Sequence, residues 1–299
     1  MFQFNLPHIR RLSTAGLTAG AVIGAIMLAT PAAAEAQFLF QDRDITRMVS
    51  LGGSCNRCEL SGRDLTGATF TGATFLNATL VGTNLRGAEL VGSNFSGSDF
   101  SNADLRGVST LGANFTGANF SGANLAGASA TGVTLVRARL YEADLSGAEL
   151  GGANMNGAVL ARANLSGSEL FGATLANVDA RSADFSSAEI NASNLSNGDF
   201  RSASFRNASL DGARLRDGQF ARADFTGASL SRTDIRGVDL SAARGLTQDQ
   251  VGRACSDSGT RLPNGLNARN CRGVSLMQGP TPPSPPSPPR RNLITIRSD

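Results

Sequence analysis

The sequence predicts an all-β solenoid, a narrow coil with four short sides per turn, closed at its C-terminal end by a short helical cap. Three observations carry this. From Leu60 to Leu240 every fifth residue is large and apolar: of 37 positions, 20 are Leu, 11 are Phe, and three are Met155, Ile190 and Ile235. Two residues before each of these, from Cys58 to Val238, 23 positions are Ala and only Arg63 is not small. Two residues after each, Gly fills 21 of the 37 positions. Thr110, Ala130 and Ala180 are the only weak centres, and no insertion interrupts the series.

A straight helix cannot use this pattern, because five residues advance the large side chain by roughly 140° and it visits every face. A continuous strand fails as well, since an odd spacing sends alternate large residues to opposite faces. The chain must therefore turn once per repeat. The small residue and the centre are two apart and share the inner face of a short extended segment, and the residues that follow, often ending in Gly, make the corner. Repeated turning gives a coil with one small and one large side chain inside each side. Phe spacing sets the coil length. Six Phe pairs lie 20 apart (Phe75/Phe95/Phe115, Phe100/Phe120, Phe185/Phe205/Phe225, Phe200/Phe220), against three at 15 and none at 10. Four repeats per coil would stack these rings. Val108 before Thr110 and Val178 before Ala180 refill space lost at two weak centres.

Runs such as Ala103-Asp104-Leu105-Arg106-Gly107 and Ala123-Asn124-Leu125-Ala126-Gly127 resemble the A(D/N)LXX consensus of the pentapeptide-repeat family. The resemblance covers residues 55–244 and implies a right-handed quadrilateral β-helix. Nine coils at about 4.8 Å would make a rod roughly 43 Å long.

The segments flanking the rod follow from composition. Arg10 and Arg11 precede an uncharged stretch from Leu12 to Thr30, and small residues at Ala32, Ala34 and Ala36 fit cleavage after Ala34 or Ala36. Residues 1–34 read as a signal peptide, so the chain is expected to be exported to the periplasm or beyond, with no membrane span in the mature chain. Residues 35–54 are expected to cover the start of the rod. Residues 245–273 form a C-terminal cap, opened by the capping-box signature Thr247-Gln248-Asp249-Gln250. Residues 274–299 are a Pro-rich tail of polyproline type.

Charge and chemistry narrow the function. All 27 cationic side chains are Arg, and the single His is His8, inside the export segment. The net charge of +3 comes from the ends: +2 over residues 1–34, −3 over 59–244 and +4 over 245–299. The rod thus carries no basic stripe, and no nucleic-acid partner is expected. Without His, Lys or a phosphate-cradling loop, neither catalysis nor a cofactor is expected, and an enzyme with an unrecognised carboxylate or Cys site is the remote alternative. Cys55 and Cys58 lie at one end of the rod and Cys255 and Cys271 beyond the other, too far apart for a common metal site. Each pair reads as a disulfide in an exported protein, the alternative being buried free thiols.

The outward column Asp64, Asn84, Asp104, Asn124, Asp144, Asn164, Asp184, Ser204, Asp224 dilutes like charge while allowing hydrogen-bond ladders. Glu149, Glu169 and Glu189, in successive coils, are a candidate site for a basic partner. Outward apolar residues, notably Val91, Leu111 and Phe171, are candidates for a contact patch, with Val91 and Leu111 stacked. The expected function is an exported, non-catalytic rod acting as a structural or protein-interaction scaffold in the cell envelope. The resemblance also implies an alternative, a DNA mimic that binds DNA gyrase, which the export segment and the near-neutral rod argue against.

Overall fold

A computed structural model describes residues 52–271. The expected signal peptide, almost all of the N-terminal cap and the Pro-rich tail lie outside the described residues. Residues 54–244 form a β-helix of parallel ladders. Each outward residue before a centre bridges the residue 20 positions later, from Ser54↔Thr74 to Asp224↔Arg244. Four such columns run side by side, so each coil has four sides. Their centres begin at Leu60, Leu65, Phe70 and Phe75, here called the first to fourth sides. Only one residue per side is bridged before the chain turns, which is why the ladders contain no longer strand.

The repeat's hydrogen bonds explain its composition. The Leu60 N–H donates to the Thr79 carbonyl (2.7 Å), the Thr79 N–H to Cys58 (2.8 Å) and the Gly62 N–H to Val81 (2.8 Å). The Ala68 N–H then donates to the Leu65 carbonyl (3.0 Å), closing a β-turn. Its third residue, Gly67, has φ 65°, the signature of a type II turn, where Gly costs nothing sterically. Outward Asp and Asn take the N–H two residues on, as Asp64 accepts from Thr66 (3.1 Å). The expected Asn-to-Asp ladders form too: Asn84 Nδ2 donates to Asp64 (3.1 Å) and Asn164 Nδ2 to Asp144 (3.0 Å).

The core fills the coil from Leu60 to Leu240. All six Phe pairs at spacing 20 are stacked, with centroids 4.5–5.6 Å apart and planes within 13°. They form two groups, Phe75–Phe120 and Phe185–Phe225. Between them a cavity of about 10 Å³ is lined by Thr110, Ala130, Leu125, Ala128 and Val133, among others. Val108 compensates Thr110, but Ala130 has only Ala128 beside it. Ala130→Leu is expected to fill this space and raise stability by about 0.5–2 kcal/mol in a denaturant titration; a lower midpoint would show that the coil is already closed around Ala130.

After Arg244 the chain leaves the coil. Helix α1 (Gln248–Arg253) starts at the N-cap Thr247 with both capping-box bonds present. Gln250 also holds the helix on the rod, its Nε2 donating to the carbonyls of Phe225 (2.9 Å) and Ala228 (2.7 Å), and Val251 is fully buried. Strand β1 (Cys255–Ser256) extends the fourth-side ladder through Asp234↔Cys255, and Arg261 extends the first through Asp239↔Arg261. Strand β2 (Arg269–Asn270) pairs parallel with β1. This segment therefore continues two of the four ladders, those of the fourth and first sides.

Both predicted cysteine pairs are joined: Cys55 with Cys58 (Cα atoms 5.5 Å apart) and Cys255 with Cys271 (5.4 Å). Cys55 and Cys58 are half-buried and pack against the core. The second pair closes a separation of 16 residues, for which chain entropy gives about 3 kcal/mol, while the three-residue Cys55–Cys58 separation gives much less. Cys271→Ser, or reductant, is expected to lower the denaturation free energy by roughly 2–3 kcal/mol, with Cys58→Ser doing less. Identical midpoints with and without reductant would show that neither bond contributes.

Candidate interaction surfaces

The predicted partner residues gather on one side of the rod. Glu149, Glu169 and Glu189 are consecutive rungs of the third side, bridged Glu149↔Glu169↔Glu189. Val91, Leu111 and Phe171 occupy the corner that follows this side. That corner stacks coil on coil: the Gly92 N–H donates to Leu111 (2.9 Å), Gly112 to Thr131 (3.2 Å), Gly132 to Gly151 (2.8 Å) and Gly152 to Phe171 (2.8 Å). Phe171 is 56% exposed and Leu111 50%. Val91 departs from expectation: it is half-buried, since a short branched side chain at a corner lies close to the backbone between adjacent coils. The three glutamates are exposed and form no ion pair among the described residues; Glu149 accepts a hydrogen bond from Ser129 (2.8 Å).

A second surface was not anticipated from the sequence. It is a groove of about 400 Å³ along the corner that follows the first side, diagonally across the coil from Leu111 and Phe171. It is lined by Tyr141 at one end, by Ala161, Ser182 and Ser202, and by four arginines, Arg162, Arg181, Arg201 and Arg222. Arg162 Nη1 donates to Tyr141 Oη (3.0 Å) and to Glu142 (2.9 Å). Arg181 and Arg201 each make a two-point bond to the aspartate two residues before them: Arg181 Nη2 donates to Asp179 (2.7 Å) and Arg201 Nη2 to Asp199 (2.6 Å). The Arg181 hydrogen bond holds the Asp179 carboxyl below its ordinary range, and the aspartates in turn raise both guanidinium groups. Arg222 makes no ion pair among the described residues.

Non-Gly residues take the left-handed turn position on every corner, as Asn177, Asn197 and Asp217 do after the fourth side, but this corner has the longest run of them among the described residues. Glu142, Arg162, Ser182, Ser202 and Arg222 occupy five successive coils at the left-handed turn position, with φ of 55–63°. On the diagonal corner the same coils carry Gly132, Gly152, Gly172, Ala192 and Gly212. A side chain in this conformation costs about 1 kcal/mol or more relative to Gly. The sequence signal was thus a run of non-Gly residues at 20-residue spacing.

The family model for pentapeptide repeats matches the chain in eight copies, over residues 54–90, 98–137, 111–147, 138–177, 168–207 and 203–241. The chain belongs to the pentapeptide-repeat family. Among solved structures of pentapeptide-repeat proteins, HetL, involved in heterocyst differentiation regulation in the cyanobacterium Nostoc sp. strain PCC 7120, is 29% identical, with 74% of this chain and 88% of that chain covered and a TM-score of 0.33. Full-length QnrB1, a plasmid-mediated fluoroquinolone resistance protein, is 20% identical, with 69% and 94% covered and a TM-score of 0.27. Rfr23 from the cyanobacterium Cyanothece 51142 is 18% identical, with 76% and 99% covered and a TM-score of 0.13. No curated protein matches. Among the described residues of this pentapeptide-repeat protein, no helix is long and apolar enough to cross a membrane, and no group of three or more His, Cys, Asp or Glu could hold a metal ion.

Proposed function

We propose that this pentapeptide-repeat protein is an exported, non-catalytic rod, wound right-handedly as the family's fold implies, which holds a protein partner in the cell envelope. The observation that carries the reading is the third-side edge. Leu111 and Phe171 stand exposed on one corner three coils apart, with Glu169 in the coil of Phe171 and Glu149 and Glu189 in the coils on either side of it, none of the three in an ion pair among the described residues. The two apolar side chains share one line along an otherwise polar rod, with Thr131 and Gly151 between them, and the acidic strip suits a partner with basic residues beside apolar ones. The export segment supports the envelope as the place of action. A DNA mimic needs a dense, uncompensated acidic surface, whereas here Asp104, Asp179, Asp199 and Asp224 are paired with arginines at 2.5–3.0 Å.

A photocrosslinking residue placed at 111 or at 171 is expected to give one and the same adduct in intact envelopes, and none when placed at Ser121 on the diagonal corner. Leu111→Ser with Phe171→Ser should remove the adduct formed from a crosslinker at Glu149, while stability stays within about 0.5–1 kcal/mol because both side chains are exposed. Equal adducts from both corners, or a protein that stays in the cytoplasm with residues 1–34 attached, would overturn the reading.

A further inference from the structure

The arginine groove of the first side is separate from the proposed partner edge, and its construction points to a ligand of a different class. Four of its lining side chains, Arg162, Ser182, Ser202 and Arg222, come from left-handed turn positions where the fold favours Gly, in four successive coils. Arg162 and Arg222 stand at two of these positions and put guanidinium groups near either end of the groove.

The groove cannot take an extended peptide by strand addition, which needs free backbone donors and acceptors. Here the corner amides are engaged with the next coil: the Arg162 N–H donates to Arg181 (2.9 Å), Ser182 to Arg201 (3.0 Å), Ser202 to Ala221 (3.0 Å) and Arg222 to Ala242 (3.0 Å). Single-stranded nucleic acid binds on successive aromatic platforms, and Tyr141 is the sole Tyr of a chain without Trp. What the groove does offer is four guanidinium groups on successive coils, three of them held in place by Glu142, Asp179 and Asp199 and the fourth, Arg222, without an ion pair among the described residues, together with two exposed serine hydroxyls and one aromatic ring at its end. Arg181 and Arg201 are oriented by Asp179 and Asp199 through Nε and Nη2, which leaves their Nη1 edges to donate to another acceptor. Charges in a row, hydroxyl partners and a ring face suit a chain of sugar rings bearing acid groups.

We propose that this groove binds an acidic polysaccharide, with carboxylate or sulfate groups on successive sugars paired to Arg162, Arg181, Arg201 and Arg222 and a sugar ring set against Tyr141. The test titrates the full chain with polygalacturonate, heparin, neutral dextran, poly-glutamate and single-stranded DNA at low salt. Polygalacturonate or heparin should bind, and more weakly as salt rises, with poly-glutamate, DNA and dextran at least tenfold weaker. Arg162→Gly with Arg222→Gly restores the residue the turn prefers, so the melting temperature should hold or rise while affinity falls roughly tenfold or more. Tyr141→Ser should weaken the acidic glycans without changing the salt dependence. Poly-glutamate or DNA binding as tightly as the glycans, no glycan binding at low salt, or a Gly double variant that melts lower and binds as well would each overturn the assignment. Because crosslinking at residues 111 and 171 reads the diagonal corner, failure here leaves the partner edge untouched.

Discussion

Phe95→Ala is expected to lower the unfolding free energy by about 3–5 kcal/mol, measured by denaturant titration. Phe95 is fully buried. Its ring is stacked between Phe75 (4.5 Å) and Phe115 (5.6 Å) and meets Phe100 edge-on at 5.2 Å. Truncation removes three ring contacts and leaves a hole the coil cannot close. The backbone on either side is tied to its neighbours, the Phe95 N–H to Asn114 and the Asn94 N–H to Ala73, each at 2.8 Å. Coil spacing is set by these bonds, so neighbouring rings cannot sink into the gap. Phe171→Ala is the internal control, since that ring is exposed at a corner and its loss should be small. If Phe95→Ala cost under about 1 kcal/mol, no more than a typical substitution, the coil would have closed around the missing ring, against the fixed spacing argued here.

Gly245→Ala should detach the cap at a cost of roughly 2–5 kcal/mol, about 1–2 from a Cβ in the left-handed region and about 1–3 from overpacking. Gly245 has φ 72°, and a Cβ there would lie 2.6 Å from the Thr226 nitrogen and 2.7 Å from its Cα. Backbone atoms cannot swing aside as a side chain would. Gly245 also stands where the five-residue register calls for the next large centre, so it is the point at which the chain leaves the coil. Amide exchange is the informative measurement. The Arg232 N–H donates to Arg253, Ile235 to Cys255 and Leu240 to Arg261, and these should lose protection while amides near Leu145 keep theirs. Unchanged protection at Ile235 and Leu240 would show that the cap tolerates the shift.

The interior of this protein was legible because one period governs it. Large centre, small neighbour and four-sided coil follow from spacing, and the Phe pairs at 20 all stack. The surface was legible only in part, because a side chain's neighbours lie 20 residues away, where no local pattern joins them. The candidates Leu111, Phe171 and Glu169 looked like separate features along the chain, yet the register puts them on one side. The arginine groove was missed for the same reason. Arg162 and Arg222 appeared only as gaps in the Gly count, and their meaning emerges once Glu142, Ser182 and Ser202 are seen in the same column. Ala130 shows a third limit, since the compensation that Val108 and Val178 supply is absent there and a cavity remains. Val91 was misjudged because an outward position does not ensure exposure when the side chain is short.

The two Phe groups stop at Phe120 and resume at Phe185, and the span between them is filled by Leu, Met155 and the alanines at 130 and 180. In mechanical terms the coil of residues 54–244 is a beam with braced ends and a softer middle. Interlocked planar rings resist sliding and tilting of one coil on the next, whereas aliphatic side chains can shift rotamer to follow a change in curvature. A bending load would therefore concentrate its strain between Leu125 and Ala180. Phe171, Glu149 and Glu169 on one edge, and Tyr141 and Arg162 on the other, all sit on that compliant stretch, so a rod under tension or flexure would alter the spacing of the very side chains it presents.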